Sequence, residues 1–134
     1  MNREHLLKVM LDQKQEQEQY LQRAIPRLFD KNVEKSQNLL KRGLVTVITG
    51  VRRSGKSTYA LQLAHAQKNH GSVVAINFDD ERLIGFSPND FDLFLQVAYE
   101  TVSDPKIFIF DELQNIAGWE LFINRLLRKD VLII

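Results

Sequence analysis

The sequence contains no cysteine. Disulfide staples, zinc–thiolate centres and a thiol nucleophile are therefore excluded. Neither charge is in excess: 18 lysines and arginines face 17 aspartates and glutamates, for a formal net charge of +1. That balance leaves no nucleic-acid footprint carried by overall charge. No apolar run approaches the roughly 20 residues of a membrane span. The opening MNREHLLKVMLDQK lacks both an uninterrupted apolar core and a small-residue cleavage site, so no signal peptide is read. A soluble, cytoplasmic protein is the default expectation. The three histidines, His5, His65 and His70, are scattered and show no ligand spacing. At 134 residues the chain suits one domain, which can bury about two-thirds of its unfolded surface without a staple.

What is present falls into two parts, a helical N-terminal segment over residues 1–43 and an alternating strand–helix region over 44–134. Residues 3–24 read as a helix whose apolar stripe is Leu6, Leu7, Met10 and Leu11. QKQEQEQ, Gln13 to Gln19, is polar all round and predicts a solvated helix or a mobile arm, with an oligomerisation or partner-binding arm as the alternative. Pro26 punctuates the segment, and a second helix is expected over Asn32 to Lys41, stopped by Gly43. LVTVIT, bounded by Gly43 and Gly50, predicts a strand buried on both faces. A helix over Ser57 to Lys68, a strand VVAINF, a polar connector DDERLIGFSPND and a helix over Phe91 to Val102 follow. Asp104-Pro105 breaks that helix before a third strand, KIFIFDE. Trp119, Phe122, Ile123, Leu126 and Leu127 then recur at the spacing of a one-sided helix, and VLII closes the chain. Strands alternating with helices imply right-handed crossovers and a parallel sheet, hence a doubly wound α/β layer.

GVRRSGKST directly follows the first of these strands. Gly50, Gly55, Lys56 and Ser57 fit G-x-x-x-x-G-K-[ST] without a mismatch. A glycine at each end lets the backbone curl around a phosphate and turn successive N–H groups inward, where a Cβ would obstruct it. Gly50, Val51, Arg52, Arg53, Ser54, Gly55, Lys56, Ser57 and Thr58 are thus the candidate phosphate cradle. Lys56 would reach the β- and γ-phosphates, Ser57 would ligate Mg²⁺, and the following helix would aim its N-terminus at the anion. A chance match in a chain of this length is roughly a half of one per cent. The position between a buried strand and a helix is the one the mechanism requires. Arg52 and Arg53 either touch phosphate or an acidic neighbour, or coat the surface.

Some sixty residues on, Asp111 and Glu112 stand at the C-terminal end of a strand, the edge at which open α/β sheets bind ligands. Asp111 fits an acid that holds Mg²⁺, and Glu112 fits a base that polarises an attacking water, which favours hydrolysis over transfer to a second substrate. The bland alternative is a helix cap or a solvated turn. DDE, Asp79 to Glu81, also ends a strand; a solvated turn is its simpler reading, with added charge near the metal or a partner contact as the other. Gln114 and Asn115 are ordinary connector residues that could also orient water or γ-phosphate. Trp119 reads as the core anchor of its helix rather than as a base-stacking residue.

Together, ITGVRRSGKST, AINFDDERL and IFIFDELQNIAGWELFINRLLRK resemble a bacterial and archaeal family of AAA-type ATPases, over Leu44 to Ile134. The family pattern has a doubled arginine in the phosphate loop (Arg52, Arg53), an N-F-acidic-D-E-R segment (Asn77 to Arg82) and D-E-x-Q-N-x-x-x-W (Asp111 to Trp119). The resemblance implies an ASCE-class P-loop NTPase fold, a parallel sheet with helices on both faces, binding ATP and Mg²⁺. It places Lys56 on phosphate, Ser57 and Asp111 on the metal, and Glu112 on water. It also implies a fourth strand, VLII, lying between the first and the third. In the family a polar sensor motif follows that strand, with a further helix, a fifth strand and the region that supplies an arginine finger. This sequence stops at Ile134, so the core is expected to be incomplete at its C-terminus, with an apolar edge open to pairing. The expected function is Mg²⁺-dependent ATP hydrolysis, slow without sensor or arginine finger. Alternatives are a nucleotide-binding module or remnant that barely hydrolyses ATP and, less favoured, phosphotransfer to a small molecule. A homo-oligomer, a missing C-terminal region or a partner protein would complete the edge; no membrane partner is expected.

Overall fold

The computed structural model describes residues 1–23, 44–49, 56–66, 72–129 and 131–134. Its elements in chain order are helix α1 (Arg3–Arg23), helix α2 (Lys56–His65), strand β1 (Ser72–Asn77), helix α3 (Phe91–Thr101), strand β2 (Pro105–Asp111), helix α4 (Trp119–Leu127) and strand β3 (Leu132–Ile133). The helix expected over Asn32 to Lys41 lies outside the described residues.

The strands are β-branched or aromatic runs that fit a pleated, buried surface. They pair in parallel in the order β1–β2–β3. Val45 forms a parallel bridge with Ile133, and the Thr46 N–H donates to the Ile133 carbonyl at 2.9 Å. The C-terminal apolar run therefore lies between KIFIFD and the first apolar run, as expected. Asp104, in the left-handed region at φ 49°, ends the turn after α3, and Pro105 opens β2.

Alternation along the strands sends side chains to two opposite cores. One face of the sheet, with Val74, Ile76, Phe108 and Ile133, packs against α1, α3 and α4. The other, with Ile107, Ile109, Leu132 and Ile134, packs against Ala60, Leu61, Leu63 and Ala64 of α2. Helices thus cover both faces of a parallel sheet, the α/β architecture that the alternating pattern predicts. The first core is aromatic: Phe91 stacks on Phe122 at 4.0 Å and 6°, and the Phe94 ring meets those of Phe108, Phe110 and Phe122. Each fully buried phenylalanine is worth about 1.5–3 kcal/mol over its exposed state.

Two expectations are corrected. The run at residues 44–49 is not buried on both faces: Leu44 is 61% and Val47 73% exposed. It touches β3 through one bridge, and its side chain Ile48 packs against the α2-side core while Val45 and Val47 are exposed. The buried stripe of α1 is Leu6, Val9, Met10 and Gln13, whereas Leu11 is exposed. The 3–4 spacing of that stripe runs on into the polar segment, so QKQEQEQ is not uniformly solvated. Its Gln13 is only 4% exposed.

Candidate functional site

The C-terminal ends of β1 and β2 open onto a cleft of ≈ 1000 Å³ lined by Ser57, Thr58, Asn77, Asp111 and Glu112, among others. Two of these have a local cause. β2 is apolar through Phe110 and ends on Asp111, where the chain leaves the sheet. Ser57 lies in the first turn of α2, the helix that packs on the β2–β3 face. The Ser57 hydroxyl donates a hydrogen bond to the Asp111 carboxylate. The two residues assigned to the metal on sequence grounds are thus brought into contact.

Glu112 follows in the left-handed conformation, at φ 56° and ψ 37°. A side-chain-bearing residue there costs about 1–2 kcal/mol, and such strain is retained where the surroundings determine the conformation. The turn Leu113–Asn115 comes next, closed by the Asn115 N–H on the Glu112 carbonyl at 3.1 Å. Gln114 Nε2 donates to the Glu112 carboxylate at 2.5 Å. Trp119 is half-buried, packs against the aromatic core and also reaches the cleft, in keeping with its reading as a core anchor. Asn115 is exposed.

The rest of the phosphate-loop assignment, Gly50, Val51, Arg52, Arg53, Ser54 and Gly55, lies outside the described residues. Lys56 opens α2 with its backbone, and its side chain lies outside the described set as well. Thr58 is half-buried on the cleft wall.

Sequence reasoning missed one cluster beside this site. Asp79 and Glu81 are exposed, as a solvated turn predicts, but Asp80 between them is held. Its carboxylate accepts from the Arg82 N–H at 3.0 Å, from Arg82 Nε at 3.1 Å and Nη2 at 2.9 Å, and from Gln13 Nε2 at 2.9 Å. The Arg82 guanidinium and, behind it, Gln13 hold the Asp80 carboxyl down at about 2, against the opposing effect of burial. Arg82 reaches Asp12 of α1 at 2.8 Å with its remaining nitrogen, and its own proton is held more tightly than usual by Asp80. The available signal was the spacing of Gln13 and Gln17, which continues the buried stripe of α1 at i, i+4.

Among the described residues no group of three or more His, Asp or Glu side chains converges on a metal position. The pair present, one hydroxyl and one carboxylate, is a hard-oxygen set. It suits Mg²⁺, which takes one or two protein ligands and completes its shell with water and substrate phosphate. Among the described residues no helix is long and apolar enough to cross a membrane.

Residues 42–134 match the model of a family described as an AAA domain. An uncharacterized protein of Methanocaldococcus jannaschii is 34% identical over 82 residues, covering 61% of this chain and 18% of that protein. An uncharacterized protein of Haemophilus influenzae is 30% identical over 87 residues, covering 61% of this chain and 22% of that protein. The matches thus span about a fifth of the length of these relatives. No solved structure matches the chain.

Proposed function

The chain belongs to the AAA domain family, and from that premise we propose that it binds Mg²⁺-ATP and hydrolyses it with Glu112 as the general base. The observation that carries this reading is the hydrogen bond from Ser57 to Asp111, which joins the phosphate-loop helix to the end of β2 at one point of the cleft.

In this reading the loop Gly50 to Thr58 wraps the phosphates with backbone N–H groups, and Lys56 neutralises charge on the β- and γ-oxygens. Ser57 and Asp111 would hold Mg²⁺, which when bound supplies positive charge to the phosphate oxygens. Asp111 keeps its carboxylate turned to the Ser57 hydroxyl, so both oxygens are placed before any ligand arrives. Glu112, one residue further on, is turned by its left-handed backbone away from the line of β2. Its carboxylate would accept a proton from water as the water oxygen bonds to the γ-phosphorus and the bond from that phosphorus to the β-phosphate oxygen breaks, releasing phosphate and ADP, a base role worth about 10²–10⁴-fold in rate.

The test has two arms. Mg²⁺-ATP at a hundred times its Kd is expected to add about 2.7 kcal/mol of stability, with Lys56→Ala removing the effect; an unmoved melting temperature ends the binding claim. Phosphate release that is equal in wild type and Glu112→Gln ends the hydrolysis claim.

One observation favours a second reading, a nucleotide-binding module that barely turns over. The Glu112 carboxylate is held by Gln114, a bond that competes with water for the base. On that reading Gln114→Ala raises the rate of phosphate release, whereas on the first it leaves the rate unchanged or lowers it.

A further inference from the structure

Helix α1 precedes the family match, which begins at residue 42, yet it carries the side chain that completes the sheet beside the cleft. β1 is the outermost strand on its side among the described residues, so its outward N–H and C=O groups lack a strand partner there. Such groups, if buried unpaired, cost about 1–3 kcal/mol each. Gln13 answers both of them at Asn77. Its Oε1 accepts the Asn77 N–H at 3.0 Å, and its Nε2 donates to the Asn77 carbonyl at 3.0 Å. The second amide hydrogen is available to Asp80, whose carboxylate lies 2.9 Å from Nε2. One helical turn on, Gln17 Nε2 donates to the Ala75 carbonyl at 3.3 Å. The fit is geometric: four residues of helix rise about 6 Å, and two residues of strand advance about 6.6 Å. Glutamines at i and i+4 therefore meet alternate residues of the edge.

The two contacts differ in what lies across the strand. Ala75 is in register with Ile109, whose side chain is buried in the α2-side core. Asn77 is in register with Asp111, and the next N–H, that of Phe78, donates to the Asp111 carbonyl at 2.9 Å. Gln13 thus clamps the strand end that fixes the Asp111 backbone, while Gln17 clamps a stretch that ends in core.

We propose that Gln13 is a positioning residue for the Asp111 carboxylate, and that docking of α1 through it sets the Mg²⁺ concentration that ATP binding requires. The proposal rests on the functional reading above. Residues that orient the ligands of a metal are worth about 10–100-fold in its affinity. A cap that merely satisfied the sheet edge would lower the melting temperature when removed and leave the Mg²⁺ requirement where it was.

The experiment titrates free Mg²⁺ against ATP binding, measured calorimetrically on the whole 134-residue chain, for wild type, Gln13→Met and Gln17→Met. Both substitutions are expected to lower the melting temperature. Gln13→Met is expected to raise the half-saturating Mg²⁺ about tenfold, and Gln17→Met to leave it within about twofold of wild type. Equal shifts in the two variants, or none in either, overturn the proposal. Should Gln13→Met fail to fold, Gln13→Asn, an amide one methylene shorter, is read by the same criterion. Wild type without Mg²⁺-dependent ATP binding overturns the functional reading and this inference together. Normal wild-type binding with an unshifted Gln13 variant overturns this inference alone.

Discussion

The Ser57 hydroxyl and the Asp111 carboxylate, 54 residues apart in sequence, are hydrogen-bonded at the mouth of the cleft. One belongs to the helix that continues the phosphate loop and the other ends a central strand, so each fixes the other's approach. If both oxygens serve one cation, their losses cannot add. Ser57→Ala and Asp111→Asn are each expected to weaken Mg²⁺-dependent ATP binding about tenfold or more, and the double variant by little more than the stronger single one. Calorimetric Kd values for the four proteins check this, and strict additivity would separate the two residues.

Glu112 presents stability and chemistry as opposed demands on one residue. Its left-handed backbone is strained with a side chain and relaxed for glycine. Glu112→Gly is expected to stabilise the fold by about 0.5–1 kcal/mol, the relieved strain less the entropy that glycine adds to the unfolded chain. For a chain of this size that is about 2–4 °C in melting temperature. The same change is expected to abolish phosphate release while ATP still binds. Glu112→Gln keeps the strained backbone and loses the base, so it should show none of that gain in melting temperature. A Glu112→Gly protein that melts lower than wild type would mean that the side chain supports the turn.

The parts legible in the sequence were those with a local signature. Apolar runs alternating with helices gave the parallel sheet, and Ser57 and Asp111, read on two different elements, are in contact in the fold. The exposure of Val47 was not legible, because a β-branched run reads alike whether one face or two are covered. The role of Gln13 was only half legible: its place on the 3–4 stripe after Leu6, Val9 and Met10 marks it as inward-facing, but only the tertiary fold brings Asn77 within its reach. The bound state of Asp80 was hidden for a similar reason: Arg82 is local, but Gln13 and Asp12 arrive from 67 and 70 residues away.

Asp80 makes the fold acid-sensitive with a defined sign. Its folded-state carboxyl is held at about 2, below the ordinary 3.8. A carboxyl depressed in this way contributes stability that is present above about pH 4 and is lost as pH falls toward 2. Because Arg82 is partly in water, screening limits the contribution to about 1 kcal/mol. Melting curves of wild type are expected to fall between pH 4 and 2 by about 3 °C more than those of Asp80→Asn, which starts lower at pH 7. Parallel curves for the two proteins over that interval would remove Asp80 from the acid response.

The aromatic core between α3, α4 and the sheet is where a single change should cost most. Phe94 is fully buried, and its ring centroid lies 6.4, 5.7 and 6.3 Å from those of Phe108, Phe110 and Phe122. Phe94→Ala removes the ring and leaves a cavity that three large neighbours cannot fill, a loss of about 3–5 kcal/mol. Domains of this kind hold only about 5–15 kcal/mol in total, so that variant is expected to lose a large share of its stability. Phe94→Leu keeps most of the volume and should cost clearly less than Phe94→Ala. Urea midpoints, with unchanged slopes, measure both. Edge-on geometry between Phe94 and Phe122, at 83°, adds a term of about 0.5–1.5 kcal/mol beyond burial. A double-mutant cycle with leucine at both positions should recover it. A coupling of zero would mean that the cluster is held by volume alone and that the ring orientations carry no energy of their own.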